Sequence, residues 1–281
     1  MSEPGSLVLV ATPIGNLGDL SPRAVEVLRT ADVIAAEDTR RTRALLTHAG
    51  VSAGRRLRAV HGHNERARAT AIVDEIRSGK RVAYVTDAGM PGISDPGERL
   101  VAACVSAGLP VEVVPGPSAA LTALVLSGLP TERFAFEGFL PRKGRERTER
   151  LAIIAAEQRT TVLFESPQRL GATLADLAAA CGDDRRIAVA RELTKLHEEV
   201  WRGPISEAQR HFANAPRGEV AVVIEPAPAA AEIDDDELAR QAAKLVEQGL
   251  PTRDAADELA ARSGVSRRRA YDAVIAQRRA R

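Results

Sequence analysis

Three short apolar runs in this 281-residue chain each empty into a loop built to expose backbone. Leu7–Val10 runs into Ala11-Thr12-Pro13-Ile14-Gly15-Asn16-Leu17-Gly18-Asp19. Arg81–Val85 runs into a twelve-residue loop, Thr86–Gly97, with Gly89, Gly92 and Gly97 and with Pro91 and Pro96. Val111–Val114 runs into Pro115-Gly116-Pro117-Ser118-Ala119. Glycine lets main chain approach a ligand closely, and proline stiffens the approach. A Walker Gly-Lys-Ser/Thr is absent, and Gly15-Asn16-Leu17-Gly18 does not meet the Gly-x-Gly-x-x-Gly spacing, which argues against nucleoside triphosphates and against a dehydrogenase dinucleotide. What remains is a small ligand held largely by main chain. Any one loop could be only a tight βα turn; three together point to one composite pocket.

Ligands of parallel α/β sheets sit beyond the carboxyl ends of the strands, so the elements around these loops matter. Strands are expected at Leu7–Val10, Val33–Ala36, Val82–Val85 and Val111–Val114. Helices are expected at Pro22–Arg29, Thr39–His48, Glu65–Ser78, Glu98–Ala107 and Ser118–Ser127. This alternation predicts a mostly parallel, helix-covered sheet. After Gly128-Leu129-Pro130 a second set of strands follows at Phe134–Phe136, Thr161–Phe164, Ile187–Ala190, Glu198–Arg202 and Glu219–Ile224, with helices Thr148–Glu157 and Gln168–Ala180 between them. The close spacing of the late strands predicts some antiparallel pairing. The expected organisation is an N-terminal α/β domain over 1–118, a second α/β domain over 119–226, a Pro/Ala and acidic linker over 227–236, and a helical tail over 237–281. In the tail, Arg253–Arg262, Ser263-Gly264-Val265 and a helix opened by Ser266 read as a helix-turn-helix.

Apolar residues make up 44% of the chain but aromatics only 3%, so the core must be built from Ala, Val, Leu and Ile. The net charge of +1 hides local asymmetry. Arg40–Arg68 holds eight arginines against the single acid Glu65, and from Arg262 onward seven arginines face one acid, Asp272. Such patches suit a nucleic-acid partner, although solvated helix faces would look the same. Cys104 and Cys181 suggest neither a disulfide framework nor a zinc site, and no metal is expected. With neither a signal segment nor an apolar run of bilayer length, the expected location is the cytosol, with no membrane partner.

The segments Ala11–Asp19, Ala36-Glu37-Asp38-Thr39-Arg40, Asp87–Gly97, Pro115–Ala119 and Phe136-Glu137-Gly138-Phe139-Leu140-Pro141 together resemble the bacterial small-subunit ribosomal RNA methyltransferases (type I) of the tetrapyrrole-methylase superfamily. The resemblance spans most of residues 7–224 and extends to the helical tail. It implies a two-domain class III methyltransferase fold, S-adenosylmethionine as donor, the 2′-hydroxyl of a cytidine in the decoding region of 16S rRNA as acceptor, and a homodimer. It places donor contacts on Pro13 and Ile14, on Ala88, Gly89, Met90 and Ile93, and on Ser118 and Ala119. From the second domain it adds Phe164, Glu165, Ala190, Arg191, Gly218 and Glu219. One departure is Gly89-Met90-Pro91, where many tetrapyrrole methylases carry Gly-Asp-Pro. The missing carboxylate fits the RNA branch better than the porphyrin branch.

Methyl transfer from a sulfonium is an in-line displacement, and the protein chiefly supplies alignment. A ribose hydroxyl is a poor acid, so a base or a polarising cation should lie near it. Glu37, Asp38, Arg40, His63, Asn64, Asp87, Asp95 and Lys143 are the candidates. Among them, Asp38 reads more readily as the cap of the following helix, and Asn64 and Asp95 could equally be helix caps. Glu37 and Asp87, at strand ends, and Lys143 are the catalytic assignments. RNA contacts are expected from Arg40, Arg41, Arg142, Arg267 and Arg268. The cluster Arg142, Lys143, Arg145, Arg147 and Arg150, opposed only by Glu146 and Glu149, could line an RNA cleft with the Arg40–Arg68 stretch, and Phe139, Trp201 and Tyr271 are the only tempting stacking residues. Two other functions fit less well: methylation of a precorrin or uroporphyrinogen, and a DNA-binding regulator that senses a metabolite.

Overall fold

The computed structural model describes residues 5–62, 65–228 and 234–279. It contains two compact units, one ending at Pro226 and the other beginning at Ala227.

The first unit opens with β1 (Leu7–Val10), α1 (Pro22–Thr30), β2 (Val33–Ala36), α2 (Thr39–His48), β3 (Leu57–Ala59), α3 (Glu65–Arg77), β4 (Val82–Val85), α4 (Glu98–Ser106) and β5 (Val111–Val114). The five strands form one parallel sheet in the order β3-β2-β4-β1-β5. Every residue of β1, β2 and β4 is buried, as expected for a sheet covered on both faces. Alternation divides them between two cores. Val8, Val10, Ile34 and Ala83 pack with Leu28 and Leu46, while Leu7, Leu9, Val33 and Tyr84 pack with Ile76 and Leu100. Ser21 caps α1 by accepting from the Ala24 N–H at 3.1 Å, with Pro22 at the first helical position. The short edge strand β3 was not anticipated. It has three residues, two of them exposed, and no apolar run to reveal it.

The second sheet comprises β6 (Phe134–Phe139), β7 (Thr160–Glu165), β8 (Arg186–Arg191), β9 (Glu199–Pro204) and β10 (Val220–Ile224), ordered β6-β7-β10-β8-β9. Its β6–β7 pair is parallel and its other pairs are antiparallel. One face packs on α6 (Arg145–Ala156), α7 (Pro167–Cys181) and α8 (Ile205–His211) through Leu151, Ile154, Leu170, Leu174, Leu177 and Ile205. On the other lies α5 (Ala119–Ser127), through Ala120, Ala123 and Leu124, joined by Ile14 from the loop after β1. Helix α8 was not foreseen: it has seven residues and starts directly after Pro204.

The second unit holds α9 (Asp235–Glu247), α10 (Thr252–Ser263) and α11 (Arg267–Arg279) around Leu238, Leu245, Leu259 and Val274. Asp234 caps α9, and Gly264, at φ +69°, closes α10 in the left-handed region before α11 begins.

Candidate active site

The C-terminal ends of β1, β4 and β5 bring the three glycine loops together. The first two are stitched by a reciprocal pair of backbone hydrogen bonds: Thr12 N–H donates to the Gly89 carbonyl at 2.9 Å, and Gly89 N–H to the Thr12 carbonyl at 3.1 Å. Gly89 sits at φ +76°, a conformation costly for any residue with a Cβ. The third loop packs so closely on the first that a Cβ on Gly116 would lie 2.8 Å from the Cβ of Ala11.

These loops form one wall of a cavity of about 330 Å³. The second sheet forms the other, through the ends of β7 and β8 and the beginning of β10. All the donor-contact residues expected from the sequence line it, except Pro13 and Arg191. Pro13 is buried beside Ile14. Arg191 turns to a separate open depression with His197 and His211, where it pairs with Glu199. Phe139, Ser94, Asp95, Ser166, Pro167, Leu193, Val220 and Ala221 also line the cavity. The Leu193 contact had no sequence signal; it follows from a loop in which Glu192 and Thr194 take φ values of 50° and 65°.

The chemistry of the lining fits a zwitterionic nucleoside donor. Ser118 accepts from the Leu121 N–H at 3.4 Å, so the N-terminal end of α5 meets the cavity at Ser118 and Ala119, where backbone N–H groups favour a carboxylate. Ile14, Met90, Phe164 and Leu193 supply an apolar surface for a flat ring. Phe164 is held edge-on by Phe136 at 5.1 Å between ring centres and tilted against Phe139 at 5.7 Å. Among the described residues no group of three or more His, Cys, Asp or Glu is placed to hold a metal ion.

The catalytic assignments are redistributed. Glu37 and Asp87 do meet, but outside the cavity lining, where they brace the ends of β2 and β4. Glu37 accepts from the Asp87 N–H at 3.3 Å. Asp87 accepts from the Asp38 N–H at 3.2 Å and pairs with Arg41 at 3.4 Å. Burial raises the Glu37 carboxyl above its ordinary range, against the hydrogen bond from Asp87 that lowers it. Lys143 is exposed beyond β6 and does not line the cavity. Glu165 lines it but is saturated: it accepts from the Thr173 hydroxyl at 2.6 Å and the Ser166 N–H at 2.8 Å, and pairs with Arg169 at 3.3 Å. Asp38 is a cap, accepting from the Arg40 N–H at 2.7 Å. His63 and Asn64 lie outside the described residues. Asp95 is not the cap of α4. That role falls to Glu65 on α3, which accepts from the Gly97 and Leu100 N–H groups at 3.0 and 3.1 Å. Burial, then the charges of Glu37, Asp87 and Glu219, push the Asp95 carboxyl up to about 7.

The basic patches are thinner than the sequence implies. Arg56 is spent on the carbonyls of Leu28, Arg29 and Ala31. Arg147 is buried against Asp176, Thr173 and the Pro141 carbonyl. Arg150 pairs with Glu137, and Arg267 with Asp257. Arg41 is bound to Asp87, and Arg40 pairs with Asp38 while staying largely exposed. Arg142 and Arg268 are exposed. Trp201 packs against the core of the second sheet and stacks on His211, whereas Phe139 and Tyr271 are exposed.

The family profile of tetrapyrrole (corrin/porphyrin) methylases matches residues 6–209. A protein of Mycobacterium bovis named ribosomal RNA small subunit methyltransferase I is 49% identical over 98% of this chain and 96% of its own length. A Synechocystis protein of the same name is 46% identical over 95% of this chain and 96% of its own. Among solved structures, the uroporphyrin-III C-methyltransferase of Thermus thermophilus, complexed with S-adenosylhomocysteine, superposes with a TM-score of 0.56 at 20% identity, over 78% of this chain and 96% of that one.

Proposed function

The chain belongs to the tetrapyrrole methylase family, and from that premise we propose that it is an S-adenosylmethionine-dependent methyltransferase of small-subunit ribosomal RNA, acting on the 2′-hydroxyl of a cytidine ribose in the decoding region of 16S rRNA. The observation that carries this reading is the cavity where three main-chain loops meet the second sheet, in a chain whose relatives match it almost end to end. The donor supplies a methyl group already activated as a leaving sulfonium. The protein's part is alignment and proton removal. Ser118 and Ala119 at the start of α5, with the stitched Thr12–Gly89 loops, hold the charged end of the donor. Ile14, Phe164 and Leu193 exclude water around its ring. Phosphates of the RNA meet the exposed cations Arg40 and Arg142 of the first unit, and the second unit offers Arg268 by itself; such contacts add affinity without base choice. The enzyme works in the cytoplasm, as a homodimer.

The test is radiolabelled donor with small ribosomal subunits, followed by digestion to nucleosides and mass spectrometry. The expected product is 2′-O-methylcytidine at one position of 16S rRNA. Label on a base, or none on subunits with transfer to uroporphyrinogen instead, overturns the assignment. Light scattering at micromolar concentration checks for twice the monomer mass of 29.9 kDa.

A further inference from the structure

We propose that Asp95 is the general base that accepts the proton of the acceptor hydroxyl, a role that rests on the ribose reading above. Asp95, Glu165 and Glu219 are the carboxylates lining the cavity. Glu165 is held by Arg169 and two hydrogen bonds, and Glu219 pairs with Lys195 at 2.9 Å. Asp95 makes no ion pair among the described residues.

Its position is also enforced. Ser94, directly before it, takes φ +61°, an unfavourable conformation for a residue with a side chain, and such strain collects where a site needs a fixed geometry. The segment is pinned at both ends. Gly92 N–H donates to the Pro96 carbonyl at 3.1 Å, and Gly97 N–H donates to Glu65 on α3. Opposite, β6 comes so close that a Cβ on Gly138 would lie 3.3 Å from the Ser94 hydroxyl. Asp95 is therefore held at the cavity without a counter-charge, as a proton acceptor requires.

The groups around it set its titration. Glu37 and Asp87 at the ends of β2 and β4 and Glu219 before β10 face it with negative charge, and burial adds to them; Arg41 and Lys195 are already paired with Asp87 and Glu219. The neighbouring Thr86 hydroxyl favours its ionised form, the smallest of these effects. A carboxyl at about 7 is a far better base near neutral pH than an ordinary one. In the step, a lone pair of the 2′-oxygen forms the new C–O bond while the C–S bond breaks and its electrons return to sulfur. The hydroxyl proton passes to an Asp95 carboxylate oxygen and then to water, leaving 2′-O-methyl RNA and S-adenosylhomocysteine.

The test uses the full chain with small ribosomal subunits. Asp95→Asn is expected to lower kcat by about 10²–10⁴-fold while the donor Kd from calorimetry stays within about threefold, with partial recovery in Asp95→Glu. Wild-type kcat is expected to fall as pH drops below about 7, and Glu37→Gln, which removes one repelling charge, moves that limb to lower pH. An Asp95→Asn enzyme within about threefold of wild-type kcat overturns the role, as does a loss confined to donor Kd, which would make Asp95 a donor-binding carboxylate. If Asp95→Asn fails to fold, the limb decides: a flat wild-type profile, or one unmoved by Glu37→Gln, overturns it. A wild-type enzyme that labels no ribose brings down the underlying reading itself, whereas active wild type with unimpaired Asp95→Asn brings down only this assignment.

Discussion

The two sheets of the first unit meet at one cavity but contribute differently. In the parallel sheet every strand ends on the same side, so its loops arrive together and present main chain at Ala88, Gly89 and Ser118, with Ile14 and Met90 as their apolar side chains. In the second sheet most pairs are antiparallel, so β7 and β8 reach the cavity with their ends and β10 with its beginning. What it presents is side chain: Phe164, Ala190, Leu193 and Ala221. Parallel topology therefore builds the polar cradle, and mixed topology the apolar wall. The parallel side also gathers negative charge around Asp95, because Glu37 and Asp87 end neighbouring strands and the nearby Arg41 is taken up by Asp87.

The largest effect is expected from disturbing the cradle. Gly116→Val drives a side chain into Ala11 and separates two of the three loops, and should weaken donor binding at least about 100-fold by calorimetry. If donor binding survives it while Phe164→Ala abolishes binding, the division between cradle and wall is the wrong way round. Next, Glu65→Ala strips two hydrogen bonds from the start of α4 and should cost about 2–3 kcal/mol in urea unfolding. Phe164→Ala removes part of the wall and should weaken donor binding by about 1–2 kcal/mol with the loops intact, read from the same titration.

The fold holds the Asp95 carboxyl near 7, above the value of about 4 in the unfolded chain. The folded state therefore binds the extra proton between those values, and stability falls as pH rises through them. Asp95→Asn removes that burden, so its Tm should exceed wild type at pH 8 and match it at pH 4; equal melting at both would mean that the charge on the parallel side costs the fold nothing. The smallest effect belongs to the second unit. Arg268→Ala should weaken RNA binding modestly and lower the salt slope by about one, leaving donor affinity unchanged.

The strands of the parallel sheet were legible because burial on both faces demands four-residue runs such as Leu7–Val10 and Val33–Ala36, which no exposed element needs. Most of the cavity lining was legible through loops whose motifs carry the family resemblance. The arginine clusters misled. Arg56 and Arg147 look like surface charge in sequence, yet one binds the carbonyls of Leu28, Arg29 and Ala31 and the other is buried against Asp176, all 25 or more residues away in the chain. The catalytic carboxylates misled for the same reason. Glu37 and Asp87 occupy the strand ends where function is favoured, but each is taken up by the other's loop.

Residue order alone determined which buried apolar runs become strands, where most helices start and which loops expose backbone, since these depend on local patterning and on glycine, proline and capping residues close in the chain; the exposed strand β3 and the short helix α8 carry no such pattern. Which acid stands unpaired at the cavity was decided only by tertiary structure. The Glu219–Lys195 ion pair and the capping of α4 by Glu65 join residues far apart in the chain, and a carboxyl's proton affinity depends on burial and on charges brought near by other strands.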